Sequence, residues 1–116
     1  MRTALTWLIV FWMGIGWARS DESNRADDVR KGHHLANLLC TTCHIVALDQ
    51  SYAPTLSPPA PSFESIARRK DVSADSLKEF LSTTHQGLDN PNGMPDPNLA
   101  DFQKKEIIAY ILSLRK

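Results

Sequence analysis

Apolar residues are spread unevenly along this chain, and the first apolar block stands apart from the rest. Ala4 to Ile15 is almost unbroken apolar sequence behind the basic residue Arg2, and Gly16-Trp17-Ala18 closes the block with small residues. A basic start, an apolar run of this length and small residues at its end are typical of a secretory signal. We therefore predict a signal peptide over residues 1–18 and a mature domain over residues 19–116.

Two longer segments of the mature chain have apolar positions at helical spacing. The first runs from Ala26 to Cys40, with Ser23 or Asn24 as its expected cap. Gly32 in its middle costs roughly 1 kcal/mol against alanine in a helix, so we expect another element to come very close there. The last segment, residues 101–115, carries its apolar side chains on one broad face.

Between these segments the pattern predicts two short helices and two irregular stretches. The helices follow the capping residues Ser62 and Ser73. Their apolar positions are Phe63, Ile66 and Ala67 in one helix and Leu77, Phe80 and Leu81 in the other. Prolines exclude regular structure from residues 48–61 and 85–98. No run of β-branched residues predicts a strand, so the fold class is all-α.

Charge and size narrow the kinds of partner that fit the chain. The 13 basic and 13 acidic residues balance, and only Arg2 falls within the predicted signal, which leaves 12 basic against 13 acidic residues. No basic run suggests nucleic acid as a partner. A small domain buries a limited share of its surface, so a bound apolar cofactor would enlarge the core.

The most informative chemistry lies in Cys40-Thr41-Thr42-Cys43-His44, which has the C-x-x-C-H spacing of covalent c-type haem attachment. Each sulfur can add to one haem vinyl group, the two-residue gap lets the pair reach both vinyls, and the adjoining imidazole then lies under the iron. Random placement of the chain's 2 cysteines and 4 histidines would produce this pattern roughly 0.001 times.

Three other uses of the two cysteines were compared with haem attachment. An exported protein with two cysteines can form a disulfide. A thioredoxin-like redox pair would adjoin a βαβ pattern, which the chain lacks. A zinc site would require four ligands, and only Cys40, Cys43 and His44 cluster in the sequence. We therefore predict one haem c, bound covalently through both cysteines.

The second irregular stretch offers a further iron ligand. Met94 is an isolated apolar residue among prolines, glycines and polar residues. A methionine often fills a gap in a core. With one histidine already assigned to a haem, however, methionine is a common sixth ligand. His85, nine positions earlier, is the competing candidate, and an open distal site is the third possibility.

These features resemble the class I (monohaem) cytochromes c over essentially the whole mature chain. The likeness rests on Gly32 before the C-x-x-C-H motif, Pro61-Ser62-Phe63, Met94-Pro95 and the final Ala109-Tyr110-Ile111-Leu112. The resemblance implies a cytochrome c fold of three to five short helices around one covalently bound haem. Its first and last helices would cross near Gly32, with Tyr110 in contact.

The resemblance also implies roles for individual residues. The expected cofactor-binding residues are Cys40, Cys43, His44, Pro61, Phe63 and Met94. His44 and Met94 would bind the iron. The ring nitrogen of His44 that does not bind the iron would donate its hydrogen to the Pro61 carbonyl, and Phe63 would pack on the haem. No catalytic residues are expected.

The predicted function is an exported electron carrier, not an enzyme, that shuttles single electrons between redox partner proteins through a His/Met-ligated iron. Two alternatives stay open: a haem enzyme or gas-binding sensor with an open distal site, and a dedicated electron-transfer subunit of a dehydrogenase or oxidase. We expect a periplasmic monomer. It would be attached to a membrane only if residues 1–18 stay uncleaved, and a membrane span needs about 20 apolar residues.

Overall fold

The computed structural model describes residues 18–83 and 93–116, which form four helices. These helices are α1 (Ala18–Leu39), α2 (Phe63–Arg68), α3 (Ala74–Ser82) and α4 (Asp101–Ser113). The β pairing found among the described residues is one isolated parallel bridge between His44 and Ala60. The predicted all-α fold is confirmed. Apart from Ala18, the predicted signal peptide lies outside the described residues.

Helix α1 begins earlier than the sequence pattern predicts. The cap expected at Ser23 or Asn24 is wrong, because both residues lie inside the helix. No glycine or proline precedes Gly32 within α1, so nothing in the sequence stops the helix at residue 26. Asp27, in the middle of α1, pairs with Lys31 one turn later at 2.8 Å.

Helices α1 and α4 cross at Gly32. A Cβ atom at this position would collide with the backbone carbonyl oxygen of Glu106 and lie 2.9 Å from Cβ of Tyr110. Lys105 of α4 also pairs with Asp28 of α1 at 2.8 Å. The predicted crossing near Gly32, with Tyr110 in contact, is confirmed.

The two short helices begin where their capping residues predict. The Ser62 hydroxyl accepts from the Ser65 amide at 3.1 Å at the start of α2. At the start of α3, Ser73 and Ser76 cap each other: each side-chain oxygen accepts from the other residue's amide, at 3.1 and 2.8 Å. Helix starts of this kind depend only on residues three apart, which is why the sequence predicts them well.

The core lies around α4, against which α1, α2 and α3 each pack, and it includes Val46 of the segment after the cysteine motif. The buried apolar residues are Ala36, Val46, Phe63, Ala67, Leu77, Leu81, Ile107, Ile108, Tyr110 and Ile111. Phe80, predicted on the same stripe as Leu77 and Leu81, is 49% exposed. Within the described chain, no helix is both long and apolar enough to cross a membrane.

Candidate functional site

The C-x-x-C-H motif begins where α1 ends. Leu39 is the last helical residue, and the Cys40 amide continues the helical bonding by donating to the Ala36 carbonyl at 2.9 Å. A tight turn follows, in which the amides of Cys43 and His44 both donate to the Cys40 carbonyl, at 3.3 and 2.9 Å. One turn of chain at the end of α1 therefore carries both thiols and the imidazole.

Both thiols are free and partly buried. Burial raises the pKa of the Cys40 thiol to about 11, and repulsion from the nearby Cys43 thiolate adds to the shift. The described residues contain no strand that could support a thioredoxin-like pair, and no group of three side chains suited to a metal such as zinc. The alternatives to haem attachment thus gain no support from this part of the chain.

The His44 ring is held by a backbone carbonyl. Its Nδ1 atom lies 2.7 Å from the Pro61 oxygen. A carbonyl oxygen can only accept, so Nδ1 carries the hydrogen and donates it. In the neutral ring, Nε2 then keeps its lone pair, which is the form of imidazole that binds a metal ion. The hydrogen bond also fixes the orientation of the ring.

Backbone hydrogen bonds flank this contact on both sides. The Ala60 amide donates to the Cys43 carbonyl at 2.9 Å, and the Phe63 amide donates to the Ile45 carbonyl at 2.9 Å. Phe63 starts α2, is 4% exposed, and its ring centroid lies 5.4 Å from that of His44. The segment that leads into α2 is therefore paired with the segment around His44.

Met94 lies in the second irregular stretch, of which residues 93–98 are described. Its side chain is partly buried and packs against the core. The following residue, Pro95, is exposed. His85, the competing candidate for the distal position, lies outside the described residues.

The sequence did not predict the polar contacts that Tyr110 and His33 make with the segment after the motif. The Tyr110 hydroxyl donates to the Val46 carbonyl at 2.7 Å. The ring centroid of His33 lies 4.9 Å from that of Tyr110, and its Nε2 atom lies 3.2 Å from the Asp49 carboxylate. His34, the next residue, is exposed. The tyrosine on the apolar face of the last helix could have predicted the first of these contacts. A buried tyrosine hydroxyl needs a hydrogen-bond acceptor, so a buried Tyr110 implies one nearby.

The surface beside the motif is apolar. Leu39 and Ile45, which flank the motif, are 52% and 44% exposed. Two free thiols, an imidazole with a free Nε2 and exposed apolar side chains together match a haem, which is large, flat and apolar and carries two vinyl groups. The donor set of this chain therefore fits the cofactor that its motif predicts.

Comparison with known proteins gives a consistent result. The family model described as Cytochrome c matches residues 29–115. The chain is 41% identical over 98 residues to the protein named cytochrome c-552 of Bradyrhizobium diazoefficiens, and the match covers 84% of this chain and 86% of that protein. No solved structure matches the chain. The family match begins inside α1 and ends beyond α4, so it includes the motif, Met94 and the helix crossing.

Proposed function

Since the chain belongs to the cytochrome c family, we propose that it is an exported carrier of single electrons whose haem iron is bound by His44 and Met94. Proteins of this family hold haem c covalently, and Cys40 and Cys43 are the attachment pair of this chain. The observation that carries the proposal is the 2.7 Å hydrogen bond from His44 Nδ1 to the Pro61 carbonyl, because it leaves Nε2 for the iron.

The residues around the motif have separate tasks in this function. Haem supplies an iron that alternates between the ferric and ferrous states. Cys40 and Cys43 anchor the cofactor through two thioether bonds, so it cannot dissociate. The Pro61 carbonyl keeps the His44 ring in one tautomer and one orientation. Phe63, buried against that ring, excludes water from its side.

Met94 is the proposed second ligand. Its thioether is a soft donor, which favours ferrous iron relative to a second imidazole and so raises the reduction potential. Its partly buried position against the core supports this role, as does the proline that follows it and restricts the backbone. If His44 and Met94 both bind the iron, these two side chains would leave no position on it for a substrate, and the cofactor would serve electron exchange alone. A carrier is therefore favoured over a haem enzyme or gas sensor.

The optical spectrum of the oxidised holoprotein tests methionine ligation. We expect the sulfur-to-iron charge-transfer band in the wild type and in His85→Ala, and its loss in Met94→Ala. The midpoint potential of Met94→Ala should fall by on the order of 100 mV, within the roughly 0.8 V range that axial ligands set. A band that survives in Met94→Ala, or that is missing from the wild type, would contradict this ligand and favour the enzyme or sensor.

Export to the periplasm is the second part of the proposal, and it rests on the signal-like pattern of residues 1–18. Mass spectrometry of the protein from native soluble and membrane fractions tests it. We expect a soluble species that begins at Arg19 and carries the added mass of one haem. An intact N-terminus in the membrane fraction would instead favour an anchored protein.

The carrier is proposed to work as a monomer between separate redox proteins. Without residues 1–18 the chain has 12 basic and 13 acidic residues, and this formal net charge of −1 predicts weak long-range steering, so its association rates should depend only modestly on salt. The alternative is a dedicated subunit of a dehydrogenase or oxidase. Stoichiometric co-purification with such an enzyme at physiological salt would favour that alternative, whereas a free monomer on size exclusion agrees with the carrier.

A further inference from the structure

The segment that follows the motif, residues 45–50, is fixed to the rest of the fold at a buried point. We call it the post-motif segment. Val46 in this segment is 2% exposed, and side chains satisfy both of its backbone polar groups. Its carbonyl accepts from the Tyr110 hydroxyl at 2.7 Å, and its amide donates to Oε1 of Gln50 at 2.8 Å. No helix or strand hydrogen bonds hold Val46, so these two contacts set its backbone position.

Val46 lies two residues from the iron ligand. The neighbouring carbonyls of Cys43 and Ile45 accept from the segment that leads into α2, whereas the Val46 carbonyl accepts from α4. The backbone around His44 is thus held by two different elements. We propose that Tyr110 is a positioning residue for His44: its hydroxyl, through the Val46 carbonyl, fixes the orientation of the imidazole toward the iron. This inference rests on the proposed function only in taking His44 as an iron ligand.

Tyr110 is itself held firmly enough to act as an anchor. It lies at the helix crossing beside Gly32, and its ring centroid is 4.9 Å from that of His33 and 6.3 Å from that of Phe63. The Phe63 ring in turn contacts His44 at 5.4 Å. Tyr110 is therefore connected to His44 by a hydrogen-bonded route through Val46 and by an aromatic route through Phe63.

His33 holds the same segment from outside. Its Nε2 donates to the Asp49 carboxylate at 3.2 Å while its ring covers Tyr110. Both partners of this contact are partly or largely exposed, so we expect it to contribute less than the buried hydroxyl. The hydroxyl is consequently the group to remove first.

The substitution Tyr110→Phe in the holoprotein removes the hydrogen bond to Val46 and keeps the ring contact with Phe63, because it deletes the hydroxyl alone. Tyr52→Phe is the matched control, since Tyr52 is 82% exposed. We expect Tyr110→Phe to change the hyperfine-shifted proton resonances of the His44 ring in the ferric protein and to shift its midpoint potential. Exchange of the Val46 amide should become about tenfold faster. Tyr52→Phe should leave all three measurements unchanged.

A purely structural role for the hydroxyl gives a different result. In that case Tyr110→Phe lowers the unfolding temperature but leaves the His44 resonances and the potential as in the wild type, and the proposal is overturned. If Tyr110→Phe loses its helical circular dichroism, the isosteric Gln50→Met tests the same segment through the Val46 amide. We expect it to shift the His44 resonances, and unchanged resonances would again overturn the proposal.

The readout also separates this proposal from the proposed function. The His44 ring resonances report the proximal ligand whatever side chain or solvent molecule binds on the other side of the iron. Loss of the methionine band would therefore refute His/Met ligation and leave the Tyr110 effect measurable. Conversely, a wild-type spectrum with methionine ligation and no effect of Tyr110→Phe would refute only the positioning role.

Discussion

The two regions that supply the proposed iron ligands are built in different ways. Around His44, the bonds join distant parts of the chain: Pro61 and the start of α2 on one side, and Tyr110 of α4 on the other. Around Met94, the bonds between described residues are local. The Asn98 amide donates to its near neighbour Asp96 at 2.8 Å.

His44 is therefore held by contacts with distant parts of the chain, whereas the described residues around Met94 are held by hydrogen bonds between near neighbours. The backbone of Asn98 has a φ of 49°, a left-handed conformation that asparagine adopts more readily than most residues. Beyond it, the Ala100 amide donates to the Gln103 side chain at 2.9 Å as α4 begins. We conclude that tertiary contacts fix the geometry of His44, the proposed ligand, whereas short-range preferences shape the described residues around Met94. We call His44 and the residues that contact it the proximal side.

The largest effect on the proximal side is expected from a substitution that forces α1 and α4 apart. Gly32→Val places a branched side chain against the Glu106 backbone, which cannot move unless the helices part. We expect a loss of about 5 kcal/mol or more, or no stable holoprotein at all. Urea unfolding followed by circular dichroism measures the loss.

Asn24→Val is the matched control, because Asn24 is an exposed residue of the same helix. It should change the free energy of unfolding by less than about 0.5 kcal/mol. Equal effects of the two substitutions would show that the crossing at Gly32 does not hold the proximal side in place.

The next largest effect is expected at Phe63. This side chain is 4% exposed and lies between His44 and Tyr110. Phe63→Ala should lower the free energy of unfolding by about 3–5 kcal/mol and disturb the His44 resonances. Phe102→Ala, at a position that is 64% exposed, should have little effect in the same unfolding assay. Similar losses for both variants would contradict the proposed packing of the proximal side.

A substitution in the cap of α3 should have a smaller and more local effect. Ser73→Ala removes the mutual capping with Ser76 and should cost about 1 kcal/mol in thermal unfolding. The His44 ring resonances should not move, because the cap shares no contact with the proximal side. Ser82→Ala, at the exposed end of the same helix, is the control. Resonance changes as large as those of Phe63→Ala would remove the distinction between the two regions.

The smallest predicted effect is a difference in alkaline stability. Burial, followed by the nearby Asp49 charge, raises the pKa of Tyr110 above its ordinary value of 10.0. The folded state thus prefers the neutral phenol, and this contribution is complete below pH 10 and is lost as the pH rises through the raised pKa. As the pH rises above 10, the free energy of unfolding should therefore fall more steeply in the wild type than in Tyr110→Phe. Tyr52→Phe should keep the wild-type slope, and identical slopes in all three proteins would contradict the burial of the phenol.

Several features could be predicted from the sequence because they depend on neighbouring residues. The spacing of Cys40, Cys43 and His44 encodes haem attachment without reference to the fold. The starts of α2 and α3 follow from their serine caps. The predicted start of α1 was wrong because the polar residues before Ala26 include no glycine or proline that would end the helix there. Phe80 shares the predicted apolar stripe of Leu77 and Leu81 yet is 49% exposed, because spacing alone does not show how much of a stripe a short helix buries.

What the sequence alone determined is the chemistry: two thiols and an imidazole on one turn of chain, and a methionine set apart in a polar loop. The tertiary structure decided how the imidazole is held. His44 and Pro61 are 17 residues apart, and Val46 and Tyr110 are 64 apart, so no local pattern relates them. At the second of these bonds, Gly32 lets α1 and α4 approach closely beside Tyr110, whose hydroxyl supplies the donor that the buried Val46 carbonyl needs once it is removed from water.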